Sequence, residues 1–267
     1  MQLQGRAGEF ERAGTVIFGL SYDPVAVLAD FAARHGITFP LLADVGSRTI
    51  RRLGLLNRHL VESAALYGKD VKPHDHGLPY PGTFVLGPDG RVVSKHFEPA
   101  YRVRPSPLHF LAAVGAAPPG AAVEAAAETD HVRVRAWAGQ AFYHPYERIR
   151  IELEVAIAPG LHVYGQPIPP GYVPLTVEIE PFDGLVADTV RLPAPRAFRV
   201  EGLDEAFVVH DGTVRASVDV AVHRAVGDIA IRIAIQHQAC SETVCHPPAT
   251  VGLVLPLEGR DSVRDPA

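Results

Sequence analysis

The stretch Gln238-Ala239-Cys240-Ser241-Glu242-Thr243-Val244-Cys245-His246-Pro247-Pro248 lies between two runs whose apolar residues recur at every second position. Before it, Ile229, Ile231, Ile233 and Ile235 alternate with small or polar residues; after it, Val251, Leu253 and Leu255 do the same. A period of two is that of half-buried antiparallel strands, so the runs are expected to pair, with the residues between them as the turn. Cys240 and Cys245 then oppose one another. Opposed residues in a non-hydrogen-bonded pair have Cα atoms about 4.5 Å apart, at the short end of what a disulfide accepts.

These are the only two cysteines in 267 residues. A bridge closing so short a loop removes little entropy from the unfolded chain, which is a weak reason to keep it as a staple. An accessible bridge with a raised reduction potential exchanges with partners, and a reversible redox pair is the first reading. An inert structural disulfide and a metal site drawing on His237 and His246 are the alternatives. In extended chain, His237 and Cys240 face opposite ways, as do Cys245 and His246, so four ligands converge only if the turn is distorted.

Working outward, residues 130–260 keep the period of two: Val132 and Val134; Ile149, Ile151, Leu153, Val155 and Ile157; Val177 and Ile179; Val218, Val220 and Val222. Six or more short strands with Pro/Gly-rich turns and no helical stretch predict an antiparallel β-sandwich. Ahead of it, residues 116–129 combine turn-formers (Pro118, Pro119, Gly120) with small residues and read as a linker.

Residues 1–115 alternate strand and helix, the pattern of an α/β layer with mostly parallel strands. Val16 to Leu20 reads as a buried central strand. Asp23-Pro24 opens a helix with Val25, Leu28, Phe31 and Ala32 on one face, and Gly36 ends it. Phe39 to Leu42 is a short strand, Asp44 caps a helix that stops at Gly54, and Thr83–Leu86 and Arg91–Val93 flank Gly87-Pro88-Asp89-Gly90 as a hairpin. Ser106-Pro107 opens a last helix.

A net charge of -5 provides no broadly basic surface, which argues against a nucleic-acid partner. No apolar run reaches the ~18 residues of a membrane span, and the first residues have neither a basic start nor an apolar signal core. The chain as given therefore reads as soluble and unexported, in mild conflict with a disulfide, which favours oxidising compartments.

The segment Gln236 to Cys240, continued through Cys245-His246-Pro247-Pro248, resembles the active-site hairpin of the N-terminal domain of the thiol:disulfide interchange protein DsbD. Pro159-Gly160-Leu161-His162-Val163-Tyr164-Gly165 is similar to that family's tyrosine-bearing strand. The resemblance implies an immunoglobulin-like domain that passes reducing equivalents to or from a thioredoxin-like partner outside the cytoplasm, with Cys245 as the exchanging sulfur and Cys240 as the resolving one. The family shields its cysteines with an aromatic cap loop. The matching stretch, near Glu201-Gly202-Leu203-Asp204, lacks an aromatic residue, and the flanking Phe198 and Phe207 read first as ordinary core packing.

Residues 1–115 resemble the redoxins, the AhpC/TSA and thioredoxin-like proteins, in Gly19-Leu20-Ser21-Tyr22-Asp23, in Ile37 to Asp44 and in Tyr80-Pro81-Gly82-Thr83-Phe84-Val85-Leu86. The resemblance implies a cis bond before Pro81 beside the active site. The family's catalytic cysteine has no counterpart here, so the thioredoxin-like fold is expected to be N-terminally incomplete, with a start lying upstream. The alternative is a domain reduced to a binding scaffold.

The resulting expectation is an incomplete thioredoxin-like α/β fold followed by an immunoglobulin-like all-β sandwich, acting as a thiol:disulfide oxidoreductase through Cys240 and Cys245. Its competitors are peroxiredoxin-like peroxide reduction by a completed redoxin domain and a scaffold with an inert bridge. No cofactor is required, since cysteine chemistry carries the electrons. Tyr164 is placed either over the disulfide, donating to a thiolate, or in the core with its hydroxyl satisfied elsewhere. His246 would favour the Cys245 thiolate only if its ring turned towards the sulfur. His74-Asp75-His76 lies in a long loop where a metal has no third ligand, and the bland reading is a polar loop tip.

Overall fold

The computed structural model describes residues 2–65, 68–98, 102–116, 120–199, 206–223 and 227–261. The chain divides into two compact units, Met1–Pro118 and Pro119–Ala267.

The second unit is built by the period-two pattern. Along Glu147–Ile157 every odd-numbered residue is buried, and Ile229–His237 and Ala249–Gly259 alternate in the same way. The two flanking runs pair antiparallel as expected, with Ile235 opposite Val251, Ile233 opposite Leu253 and Ile231 opposite Leu255. One sheet runs in the order Leu185–Ala187, Thr213–Val222, Glu147–Ile157, Val132–Ala138, Val123–Glu128. A second runs Thr176–Ile179, Ile229–His237, Ala249–Gly259, Phe142–Tyr143. Their inner faces share one core, in which Ile151, Leu153, Val155, Ile231, Ile233, Ile235 and Leu255 are almost completely buried. Each such side chain contributes about 1.5–3 kcal/mol of burial free energy, and together they fix the register, since a one-residue slip would turn every one of them outward.

Three features depart from the expected sandwich. Val123–Glu128, placed in the linker by its small residues, is a strand paired with Val132–Ala138. Its inward positions are Val123, Ala125 and Ala127, which give too little hydrophobic contrast for the alternation to be visible, while Glu124 faces out to accept from Arg135 Nε at 3.0 Å. Phe142–Tyr143 runs parallel to Ala249–Gly259, so the architecture is not antiparallel throughout. A third sheet, in the order Arg196–Arg199, Ala206–Asp211, His162–Tyr164, Ala239–Cys240, carries one of the cysteines.

In the first unit, Gly19–Ser21 lies parallel to Leu41–Ala43, and Gly82–Leu86 forms an antiparallel hairpin with Val92–Phe97. The helix Val25–His35 ends at Gly36, whose φ of 60° is the left-handed conformation that glycine adopts without steric cost. It begins after Pro24, whose carbonyl accepts from Val27 and Leu28, and Asp23 is bonded to Ser21 instead of capping it. Asp44 accepts from the backbone N–H groups of Thr49 and Ile50 at the start of Arg48–Arg52. The expected buried strand at Val16–Leu20 is corrected: the strand is Gly19–Ser21, it pairs with a single neighbour among the described residues, and Val16 and Phe18 are exposed. The buried core of this unit is small, centred on Phe10, Val85, Phe110 and Leu111. No helix among the described residues is long and apolar enough to cross a membrane.

Candidate functional site

The long hairpin strand ends at His237, and the next residues leave its sheet. Gln238 holds the break: its side-chain carbonyl accepts from Val173 N–H at 3.2 Å, and its amide donates to the His246 carbonyl at 3.1 Å. Ala239–Cys240 then joins the third sheet, where it pairs with His162–Tyr164. The Ser241 hydroxyl accepts from Thr243 N–H at 3.2 Å and Val244 N–H at 3.0 Å, and Ser241 N–H donates to the Val244 carbonyl at 2.8 Å. This local turn brings Cys245 back opposite Cys240, with Cα atoms 4.0 Å apart and the sulfurs bonded.

The two sulfurs stand in different surroundings. Cys240 is completely buried, packed in a cluster with Tyr164, Phe207 and Val209, against which Ile168, Tyr172 and Phe198 also pack. Cys245 is exposed. The Tyr164 hydroxyl lies 3.4 Å from the Cys245 sulfur. Burial raises the Tyr164 pKa, and nearby Tyr172 adds to the effect, so at neutral pH the phenol keeps its proton and can donate to a thiolate. Gly165 follows because a Cβ there would come within 2.7 Å of the Pro195 side chain.

Phe207 is buried, with ring centroids 5.5 Å from Tyr164 and 5.1 Å from Tyr172. Phe198 packs on His162 at 4.4 Å. Both phenylalanines therefore belong to the aromatic surround of the cysteines, whereas the expected cap loop at Glu201–Asp204 lies outside the described residues. The His246 ring stacks on His131, centroids 3.8 Å apart, so its partner is another histidine. His237 is buried. No group of three or more metal-binding side chains occurs among the described residues.

Elsewhere, His74 and Asp75 form one exposed polar turn, their side chains 3.5 Å apart. The expected cis bond before Pro81 is corrected: that bond is trans, the ordinary state of an X–Pro bond, and the cis bond among the described residues is Gln166–Pro167. Sequence reasoning did not single out His162 or Tyr172. His162 was detectable in principle, being two residues before Tyr164 and so on the same face of its strand.

Four histidines of this unit, His162, His210, His223 and His237, have their pKa values lowered, in each case chiefly by burial. In the unfolded chain they titrate near 6.5. The unfolded state then binds more protons below that pH, so stability is complete above about pH 6.5 and falls as pH drops from there through the lower folded values. The thermal midpoint, followed by fluorescence of Trp137, the only tryptophan, should be flat from pH 7 to 8 and decline from pH 6.5 to 5. A midpoint that held or rose on acidification would contradict this.

The second unit is thus a β-domain with a disulfide of which one cysteine is buried and the other exposed. Residues 134–254 match the family of the thiol:disulfide interchange protein DsbD, N-terminal, and residues 1–95 match the AhpC/TSA family. The chain is 33% identical over 85 residues to peroxiredoxin Bcp of Xanthomonas campestris pv. campestris, a match covering 32% of this chain and 47% of that protein. The chain thus spans just under half the length of this curated relative. Among solved structures, it resembles the N-terminal periplasmic domain of ScsB from Proteus mirabilis (23% identity, TM-score 0.35, 48% of this chain and 47% of that one). It also resembles the reduced DsbD N-terminal domain of Neisseria meningitidis (17% identity, TM-score 0.31, 51% of this chain and 85% of that one).

Proposed function

We propose that the chain is a thiol:disulfide oxidoreductase that exchanges reducing equivalents with a thioredoxin-like partner through Cys240 and Cys245, on an immunoglobulin-like domain. The observation that carries this reading is the asymmetry of the bridge: one cysteine exposed, with a phenol hydroxyl 3.4 Å from its sulfur, and the other sealed under aromatic rings.

A partner thiolate reaches Cys245, forms a bond to its sulfur and breaks the Cys240–Cys245 bond; the electron pair of that bond leaves on Cys240, which takes up a proton. A second partner thiolate then attacks the partner's own sulfur and releases Cys245 as a thiol. In sum, the pair gains two electrons and two protons, and the partner dithiol becomes a disulfide. The same steps run backwards when the partner is the stronger oxidant. Tyr164 supports the reaction by donating to the Cys245 sulfur while it carries charge. Residues 1–116 contain no cysteine, so the chemistry argued here is that of the second unit.

Equilibration of the full chain in graded thiol/disulfide redox buffers, read by mass after alkylation, tests the reading. An exchanging pair should equilibrate at about -270 mV or above, within the range of thioredoxins and more oxidising carriers. A pair that remains oxidised down to about -300 mV is a structural staple, and the proposal then fails.

A further inference from the structure

His162 sits directly opposite Cys240 in the antiparallel pairing of His162–Tyr164 with Ala239–Cys240. Residues so paired project from the same face of the sheet with Cβ atoms about 4.5–5.5 Å apart. His162 is 5% exposed, yet its Nε2 has no hydrogen-bond partner among the described residues. A buried imidazole nitrogen left without a partner is costly, because it has given up its hydrogen bond to water and gained none in return. A reduced Cys240 would offer such an atom a partner. A disulfide sulfur has no proton to give, and a Cys240 thiol does.

Resting on the exchange reading above, we propose that His162 is the proton acceptor for Cys240 in the step that closes the bridge. With the partner joined to Cys245 as a mixed disulfide, the Cys240 S–H proton passes to His162 Nε2. The resulting thiolate attacks the Cys245 sulfur, the bond from Cys245 to the partner breaks, and the electron pair leaves on the partner sulfur, which is protonated in turn. The cysteine pair loses two electrons and the partner gains them. Tyr164, two residues along the same face, serves the exposed sulfur and His162 the buried one.

The surroundings suit an acceptor that starts neutral. Burial, with Arg196 adding to it, lowers the His162 pKa, while Asp211 and Glu242 act in the opposite direction and moderate the cost of the transient imidazolium. Phe198 at 4.4 Å and Tyr164 at 5.7 Å, centroid to centroid, hold the ring in place. A neutral imidazole at neutral pH can take the proton from within the cluster, where Cys240 has no exposed surface and base from solution arrives only as the cluster opens.

The test follows closure of a glutathione mixed disulfide formed on the reduced full chain with excess oxidised glutathione, quenched with acid and read by mass. In the wild-type protein, closure should be fast at pH 7 and change little up to pH 8. In His162→Phe, which preserves the aromatic packing, it should slow by about 100-fold at pH 7, the low end of what a positioned base supplies, and regain about tenfold per pH unit as the solution replaces the base. His162→Asn, which bonds but cannot take the proton, should show the same profile and decides the matter if the phenylalanine variant does not fold. Wild-type rates and pH profile in the folded variant overturn the role of His162 alone. Failure of the wild-type chain to form any mixed disulfide overturns the exchange reading, and this proposal with it.

Discussion

Cys240→Ser should accumulate a stable mixed disulfide with a thioredoxin-like partner, and Cys245→Ser should accumulate none. The difference follows from access. In Cys240→Ser, the remaining Cys245 is exposed and lies within reach of the Tyr164 hydroxyl, so a partner disulfide can be attacked, and no second sulfur exists to resolve the product. In Cys245→Ser, the remaining thiol is fully buried among Tyr164, Phe207 and Val209 and reacts only when the cluster opens. Local opening that costs about 3 kcal/mol slows a reaction by about 100-fold, so alkylation of Cys240 should lag that of Cys245 by that order. Both variants would be assayed as full chains, with iodoacetamide for the rates and non-reducing electrophoresis for the trapped complex. Equal alkylation rates, or trapping through Cys240, would reverse the assignment of roles.

The hairpin was legible because each of its strands carries four or three large aliphatics at strict alternation, and the pairing of Ile231 with Leu255, Ile233 with Leu253 and Ile235 with Val251 is the one that buries them all. That register, carried past His237 opposite Ala249, would set Cys240 opposite His246; the turn shifts the pairing by one residue and brings Cys240 opposite Cys245. The sheet to which Cys240 belongs could not be read from it, since the departure at Gln238 depends on hydrogen bonds to Val173 and His246, one of them from a distant segment. His162 escaped notice for a related reason: a lone histidine in a strand acquires meaning only once the strand opposite is known. Val123–Glu128 was hidden by its alanines, which pair through the backbone but carry a weak hydrophobic signal. In the first unit, local turn chemistry was readable, as at Gly36 and in the Gly87–Gly90 turn, where Gly90 N–H donates to the Gly87 carbonyl at 2.9 Å. The exposure of Val16 and Phe18 was not, because burial depends on what packs over a segment and not on the segment itself.

Phe207→Ala should both destabilise the second unit and expose its hidden sulfur. Phe207 is 2% exposed and touches Tyr164 and Tyr172, so truncation leaves a cavity beside Cys240 that the surrounding strands fill only in part. Removing a buried phenylalanine ring costs about 3–5 kcal/mol, a large share of the roughly 5–15 kcal/mol that holds a domain folded. With a urea dependence of about 1–3 kcal/mol per molar, the unfolding midpoint reported by Trp137 should move down by about 2 M. Phe207→Leu, closer in volume, should lose much less, about 1.5 kcal/mol or under. The chemical consequence separates a sealing ring from one that merely fills space. In a Cys245→Ser background below the unfolding transition, Phe207→Ala should raise the alkylation rate of Cys240 by at least about tenfold, because less free energy is needed to open the cluster. If stability falls while Cys240 stays as unreactive as before, the shield over the resolving sulfur lies elsewhere, and Phe207 is a core residue only.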